Sequence, residues 1–297
     1  MAVGVLAVSG SAIFIRLSTA PALVLMVYRL LLAEVVLLPA AVLGARTHRP
    51  RASGRELGLA CLAGVFLALH FVSWITSLEY TTVASSVALV SIQPVFVLAG
   101  SWFFLGQRTS GRALAGALLA VAGAGVIGAG DFALGGMAWY GDILALTGAV
   151  MIAGYLIIGA GLRRRWSLWL YTSLVYGVAA LVGVTTCLLR RVPLAPYPAR
   201  EWLLFVALAV FPTLMGHTVF NWALGRVPPA VVSVSILGEP VGAALLAWMI
   251  LGEMPPPATL AGGLVVLAGT GWFLQNQVRD ADQGPVGIRQ LPANKVQ

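Results

Sequence analysis

Hydrophobic and polar residues are distributed in long blocks along this chain. Ten apolar stretches approach the roughly 20 residues that a helix needs to cross a bilayer, and proline, glycine or charged residues separate them. These stretches cover about residues 1–17, 22–44, 57–77, 82–105, 112–130, 141–162, 167–189, 201–224, 229–252 and 258–275. The pattern predicts an all-α polytopic membrane protein with ten transmembrane helices.

Composition supports this class. The 297 residues are 60% hydrophobic and only 9% charged, with a mean hydropathy of +0.94, whereas soluble domains carry about 25% charged residues. No polar stretch is long enough to form a soluble domain. The two cysteines, Cys61 and Cys187, both lie within apolar stretches. We therefore interpret them as small apolar side chains, and predict neither a disulfide nor a metal site nor a cofactor.

The second half of the chain repeats part of the first at a shift of 146 positions. Residues 84–125 align without a gap on residues 230–271, and 13 of the 42 aligned pairs are identical. Pro94 aligns with Pro240 and Trp102 with Trp248, and four glycines also match in the same register. Apolar composition alone does not readily produce such matches, so the chain contains an internal duplication.

The number of helices determines how the two repeats are related. Ten helices in two repeats give five helices each, and an odd number makes the second repeat enter the membrane from the opposite side. We therefore expect two inverted five-helix repeats, over residues 1–130 and 141–275. This architecture is typical of secondary transporters that bind substrate near the bilayer midplane. Residues 276–297 are polar and are expected to form a disordered cytoplasmic tail.

Basic residues predict the orientation. Of the 18 Lys and Arg residues, 13 fall on the side of the N-terminus and four on the opposite side, with Arg29 within a span. The positive-inside rule therefore places both termini in the cytoplasm. The membrane we expect is an inner (cell) membrane of bacterial type. The net charge of +8 lies in short loops. This distribution indicates membrane orientation and argues against a nucleic-acid partner.

Two charged residues lie within the second predicted helix. Arg29 and Glu34 are about 12 and 20 Å along the helix from Pro21, and about 140° apart around its axis. They do not face each other, so each needs a partner on another helix or a wet cavity. Arg29 is a candidate for binding an anionic or carboxylate group, and Glu34 for carrying a coupling proton. The alternative is a structural role in helix packing.

A carboxylate followed by proline lies in the middle of the ninth predicted helix. Pro240 removes a backbone donor, so the helix is expected to kink near Ile236 beside Glu239. Freed carbonyls next to a carboxylate can form a cation or proton site. The first repeat has Gln93 before Pro94, so the predicted pathway has one titratable and one neutral member. Both prolines alternatively serve only to bend helices.

Two histidines lie on the third and eighth predicted helices, His70 and His217. Either is a candidate proton relay, because histidine titrates near neutral pH, or is a neutral side chain satisfied by a carbonyl. Polar and aromatic side chains about one turn away are expected to line a cavity for an apolar or aromatic substrate. They are Trp74, Phe220, Asn221 and Trp222.

The fifth and tenth predicted helices are rich in glycine, which permits close helix contact. Packing within the chain is the first interpretation, and a homodimer through these two helices is the alternative. The glycines concerned are Gly116, Gly123, Gly125, Gly128, Gly262, Gly263, Gly269 and Gly271.

Known enzyme motifs are missing from the sequence. There is no GxxxxGK[ST] phosphate loop, no HExxH metal motif and no GxSxG elbow, and Lys295 in the tail is the only lysine. The sequence therefore does not indicate an enzyme or an ATP-driven pump. Two alternatives to transport stay open: an intramembrane enzyme that uses Glu34, Glu239 and a histidine on a lipid-linked substrate, and a membrane scaffold.

Several short motifs together resemble the EamA-like branch of the drug/metabolite transporter superfamily over about residues 1–275. The chain departs from this family at Gln107, where members often have Glu, and on the first helix, which lacks the common Trp. The motifs are Pro21, Tyr28-Arg29-Leu30-Leu31, Gln93-Pro94, Leu105-Gly106-Gln107, Glu239-Pro240 and Leu251-Gly252-Glu253.

The resemblance implies two tandem EamA domains and transport of small metabolites such as amino acids or drug-like solutes. We therefore expect a secondary active transporter that works by alternating access around a central cavity lined mainly by helices 1–4 and 6–9. Export is the first interpretation of its direction, and import is the alternative.

Overall fold

The computed structural model describes residues 1–47, 52–129, 136–252, 254 and 257–282. All regular elements in these ranges are helices, which confirms the all-α prediction. Among them, seven segments are long and apolar enough to cross a membrane: Ala22–Gly44, Gly54–Ser77, Val83–Leu105, Ala138–Arg163, Leu168–Arg190, Ala199–Leu224 and Pro229–Leu251. Ala2–Leu17 and Gly111–Val126 are shorter apolar segments. The total of ten spans therefore stays a prediction.

Several of the spans are built from more than one helix. Two segments are π-helical: π1 (Ala209–His217) follows the helix Ala199–Leu208, and π2 (Ala247–Leu251) follows the helix Glu239–Leu246. In chain order the α-helices are α1 (Ala2–Ser9), α2 (Ser11–Leu17), α3 (Ala22–Thr47), α4 (Gly54–Ser77), α5 (Val83–Val90), α6 (Gln93–Leu105), α7 (Gly111–Ala129), α8 (Ala138–Arg163), α9 (Leu168–Arg190), α10 (Ala199–Leu208), α11 (Thr218–Leu224), α12 (Pro229–Ile236), α13 (Glu239–Leu246) and α14 (Pro257–Asp282).

The final helix is longer than the sequence pattern predicted. α14 continues to Asp282, so the expected start of the tail at residue 276 falls inside a helix. The polar residues there do not end it, because Gln and Arg are good helix formers and the Asn276 side chain donates to the carbonyl of Trp272 at 2.8 Å. Residues 283–297, the rest of the predicted tail, lie outside the described residues, as does Glu253.

The duplication is visible in the backbone. The fourth apolar stretch is interrupted at residues 91–92, between α5 and α6, and the ninth at residues 237–238, between α12 and α13. These interruptions lie 146 positions apart. Gly106 and Gly252, also 146 apart, both end their segments in the left-handed conformation, with φ of +64° and +71°. Each interruption is followed by one residue and then by a proline. Proline is favoured in the first turn of a helix, but it lacks the N–H that would continue the helix before it.

The most extensive helix contacts join α7 to α14, α4 to α8 and α3 to α9. Close approach of α7 to α14 depends on glycine: a Cβ at Gly116 would lie 2.6 Å from the Phe273 nitrogen, and one at Gly123 2.7 Å from the carbonyl oxygen of Gly262. Gly116 and Gly123 therefore serve packing within one chain, as the first interpretation had it. The homodimer alternative has no support, although a Cβ at Gly125 or Gly271 would meet no neighbouring atom within 4 Å.

Candidate functional site

A small cavity lies where the two interrupted spans meet the helices around them. Its walls include residues from both halves of the chain, among them six of particular chemical interest: His70, Trp74, Gln93, His217, Phe220 and Glu239. Its volume is about 30 Å³, far below the roughly 300 Å³ at which ligand pockets begin. The structure therefore brings most of the predicted pathway residues together, in a conformation with no room for a metabolite.

The two helix interruptions place their polar residues at this cavity. Gln93 is the first residue of α6 and Glu239 the first of α13. Pro94 offers no N–H to the carbonyl of Val90, and Pro240 offers none to that of Ile236. Val90 and Ile236 also line the cavity. The cavity is thus bordered by two helix N-termini, by two carbonyls without their usual helical donor, and by one carboxylate.

Polar atoms at the cavity are left without partners. The hydroxyls of Ser11 and Ser91, the indole N–H of Trp74 and the amide oxygen of Gln93 are buried and have no hydrogen-bond partner among the described residues. Gln93 is only 3% exposed. Leaving a buried polar group unsatisfied costs about 1–3 kcal/mol. Such a cluster points to a site that is completed by a polar ligand or water.

Arg29 lies beside the cavity and is completely buried, at 0% exposure. Its Nε donates to the hydroxyl of Thr213 at 3.0 Å, and its guanidinium lies 4.1 Å from the centre of the Phe71 ring. Its two terminal nitrogens have no hydrogen-bond partner in the described part of the chain. Its positive charge interacts with Glu239 and His217, which both line the cavity. Among the described residues it forms no ion pair with Glu239.

The two histidines lie near each other, with ring centres 6.3 Å apart. Nδ1–H of His70 donates to the carbonyl of Gly148 at 2.9 Å, which leaves Nε2 as an acceptor in the neutral ring. The same ring stacks on Trp74 with 5° between the planes. His217 is held edge to face by Phe71 and Phe220. The histidines therefore form an aromatic wall of the cavity.

Asn221 does not line the cavity, although the sequence suggested it. It is fully buried at 0% exposure; it accepts from the Tyr155 hydroxyl at 2.7 Å and donates to the Tyr176 hydroxyl at 3.3 Å. The expectation for Trp222 is also wrong, because its ring is 44% exposed and lies under Arg226. The sequence analysis did not single out Tyr155 or Tyr176. A hydroxyl within an apolar stretch needs a hydrogen-bond partner, and this was the feature that could have indicated them.

Glu34 is separate from the cavity. It accepts a hydrogen bond from the Ser173 hydroxyl of α9 at 2.6 Å, and its other carboxylate oxygen is buried without a partner among the described residues. The structure therefore places the two candidate carboxylates, Glu34 and Glu239, in different environments, and only Glu239 adjoins the other pathway candidates.

Comparison with known families identifies the class of this protein. The model of the EamA-like transporter family matches residues 1–129 and 139–275, which together are most of the chain. The chain belongs to the EamA-like transporter family. The two matched stretches are consistent with two tandem EamA domains, the arrangement that the 146-residue repeat suggested.

Curated relatives have transport functions. The chain is 30% identical over 250 residues to a probable terminal-alkyne amino-acid exporter of Streptantibioticus cattleyicolor, covering 81% of this chain and 80% of that protein. It is 26% identical over 215 residues to the pseudopaline exporter CntI of Pseudomonas aeruginosa, covering 72% and 74%. A crystal structure aligns with a TM-score of 0.72 over 94% of this chain and 98% of the other, at 18% identity, which shows the fold alone.

These findings define the class of the EamA-like protein. It is a multi-pass membrane protein and a transporter of small molecules, and it is not an enzyme. The motifs that carried the family resemblance on the fourth and ninth stretches are also the places where the helices are interrupted. Two of these motifs, Gln93-Pro94 and Glu239-Pro240, therefore also supply residues to the polar cavity.

Proposed function

We propose that this protein exports small zwitterionic metabolites of the amino-acid type from the cytoplasm. Ten spans, arranged as two inverted five-helix repeats with both termini in the cytoplasm, would expose the central cavity to one side of the cell membrane at a time. Two relatives are named as exporters, one of them of a terminal-alkyne amino acid. Their names support export and an amino-acid-like substrate for this chain.

One observation carries the proposal: a buried cation and a partly buried carboxylate lie close to one cavity without forming an ion pair. Glu239 lines the cavity, and Arg29 packs on Phe71, whose ring contacts both cavity histidines. Arg29 comes from α3 and Glu239 from α13; their charges interact, but the terminal nitrogens of Arg29 have no partner among the described residues. Charges at membrane depth are costly and are usually paired or functional. A zwitterion between them would offer a carboxylate to Arg29 and an ammonium to Glu239.

The other polar atoms at the cavity suit the same ligand. The side chain of Gln93 adds an acceptor. The carbonyls of Val90 and Ile236 add two more, because the residue four positions after each is a proline, which has no N–H to donate. All three are appropriate partners for an ammonium group. Trp74 and Phe220 supply apolar walls for a side chain. Because a zwitterion has no net charge, binding it leaves the buried charge of the site unchanged.

The size of the cavity supports alternating access. At about 30 Å³ it is too small for an amino acid, so the helices around it must separate to admit and release substrate. The Gln93 and Glu239 helix starts lie in different repeats, so a rocking motion between the repeats would change the distance between them. The same residues would then form the site and sense its occupancy.

Efflux from proteoliposomes tests the proposal. Purified protein is reconstituted with the twenty common L-amino acids and L-propargylglycine, a simple terminal-alkyne amino acid, and Arg29→Gln and Glu239→Gln are compared with wild type. Each change is expected to lower efflux at least about 10-fold, since hydrogen bonds to charged groups contribute about 1.5–3 kcal/mol. Arg165→Gln is the matched control because Arg165 is 74% exposed in a surface ion pair with Glu56, which contributes little.

Failure of wild-type protein to transport any of these compounds would reject the amino-acid substrate class. Wild-type efflux in Arg29→Gln would reject the carboxylate site even if transport itself were retained.

A further inference from the structure

The π-helical segment beside the cavity has a local cause. Pro212 has no N–H, so the carbonyl of Leu208, four residues earlier, lacks its usual helical donor. The hydroxyl of Thr213 donates to this carbonyl, at 2.7 Å. The backbone then continues with a wider turn, in which the N–H of Thr218 bonds to the carbonyl of Thr213. π-helical turns of this kind are frequently found at functional sites.

The hydroxyl of Thr213 makes a second hydrogen bond, in which its oxygen is the acceptor. Because its hydrogen goes to Leu208, its oxygen is free to accept, and it accepts from Nε–H of Arg29 at 3.0 Å. Thr213 is itself fully buried, at 0% exposure. The guanidinium carbon lies over the Phe71 ring, 4.1 Å from its centre. Arg29 is thus held at Nε by Thr213 and packed on Phe71, and its two terminal nitrogens have no partner among the described residues.

We propose that Thr213 is a positioning residue for substrate recognition. It fixes the guanidinium plane so that both terminal nitrogens of Arg29 are presented together to a substrate carboxylate. Two parallel bonds from one guanidinium to one carboxylate require such a fixed plane. This inference rests on the proposed function, because it assigns Arg29 to the carboxylate. It goes further in giving a role to a threonine on π1, a residue that does not itself line the cavity.

The competing explanation is that Thr213 only repairs the helix at Pro212. Three variants separate the two roles. Thr213→Val keeps the shape and loses the hydroxyl, whereas Thr213→Ser keeps the hydroxyl. Thr172→Val is the matched control, because Thr172 is also 0% exposed and donates to a carbonyl one turn earlier, that of Leu168 at 2.7 Å, on α9. The Thr172→Val variant shows how much transport changes when a buried hydroxyl that bonds to its own helix is lost at a position away from Arg29.

The transport experiment uses L-propargylglycine and but-3-yn-1-amine, which is the same molecule without its carboxylate. For the amino acid, Thr213→Val is expected to raise KM about 10-fold or more, the effect of one hydrogen bond to a charged group, with kcat within about threefold. Thr213→Ser is expected to restore KM, and Thr172→Val to leave it unchanged. Flux of the amine is expected to be the same in Thr213→Val and wild type. Equal losses for both compounds, or an unchanged KM for the amino acid, would overturn the proposal.

A second measurement does not depend on transport. In arginine-¹⁵N-labelled protein, the Nε–H resonance that disappears in Arg29→Lys is assigned to Arg29. We expect this proton to exchange slowly with solvent in wild type and in Thr213→Ser, and at least 10-fold faster in Thr213→Val. Unchanged exchange in Thr213→Val would overturn the positioning role. If Arg29→Gln transports normally while the exchange result holds, the carboxylate assignment fails and the Thr213–Arg29 contact stands.

Discussion

Substituting Gly269 by alanine should separate two helices that now touch through their backbones. A Cβ at Gly269 would lie 2.4 Å from the nitrogen of Ala120, and 2.8 Å from both the Ala120 Cα and the Gly116 carbonyl oxygen. Ordinary contact begins at 3.4 Å, and the difference between 3.4 and 2.4 Å is 1.0 Å. α14 must therefore move about 1 Å away from α7, because no side-chain rotation relieves a contact between backbone atoms.

This displacement has a predictable energetic effect. Overpacking a core typically costs about 1–3 kcal/mol, and we expect the upper end for Gly269→Ala because both partners are backbone. The matched control is Gly271→Ala. Gly271 lies two residues further along the same helix, and a Cβ at this position would have open space around it, with no described atom within 4 Å. Alanine is the better helix former, so this variant should be at least as stable as wild type.

The assay is thermal unfolding of detergent-purified protein, followed by circular dichroism, with SDS titration at fixed temperature to obtain the free energy of unfolding. Gly269→Ala is expected to unfold several degrees below wild type, and Gly116→Ala should behave similarly because its Cβ would lie 2.6 Å from the Phe273 nitrogen. Equal stability of Gly269→Ala and Gly271→Ala would refute the reasoning, because the two variants add the same atom to opposite faces of one helix.

Three other predictions follow from the site and the topology. Glu239→Gln in proteoliposomes should abolish any stimulation of transport by a pH gradient if Glu239 carries the coupling proton, and unchanged stimulation would exclude that role. Asn221→Leu should destabilise the protein by about 1–3 kcal/mol in SDS titration, because it leaves the Tyr155 hydroxyl without its acceptor; Tyr155→Phe in the same background should recover part of the loss. In cysteine-free protein in intact cells, Arg191→Cys should react with an impermeant maleimide and Arg165→Cys should not; the reverse pattern would contradict the predicted orientation.

The sequence predicted much of the site because the determining features are local. Gln93-Pro94 and Glu239-Pro240 are read directly from the chain, and a proline interrupts a helix at a defined distance whatever surrounds it. The structure has both interruptions in the same repeat register. The predictions for Asn221 and Trp222 failed for a different reason. They are adjacent on one helix turn, and which of its faces meets the cavity depends on the neighbouring helices.

Residues that act through partners from distant sequence could not be found in advance. Tyr155 and Tyr176 meet Asn221 from two other helices, and Thr213 meets Arg29 across 184 positions. A hydroxyl within an apolar stretch signals only that some partner is needed. The partner itself is decided by which helices pack together, and the apolar composition of nearly every segment leaves that choice open.

The sequence by itself determined the membrane class, the repeat, the positions of the helix interruptions and the identity of the charged residues within the spans. These follow from hydropathy, from the register of identical residues and from the covalent structure of proline. The tertiary structure alone decided that Arg29, Glu239 and the two histidines share one environment while Glu34 lies apart with Ser173. The physical reason is that a bilayer requires only that helices be apolar, whereas the close packing of their faces selects which polar groups meet.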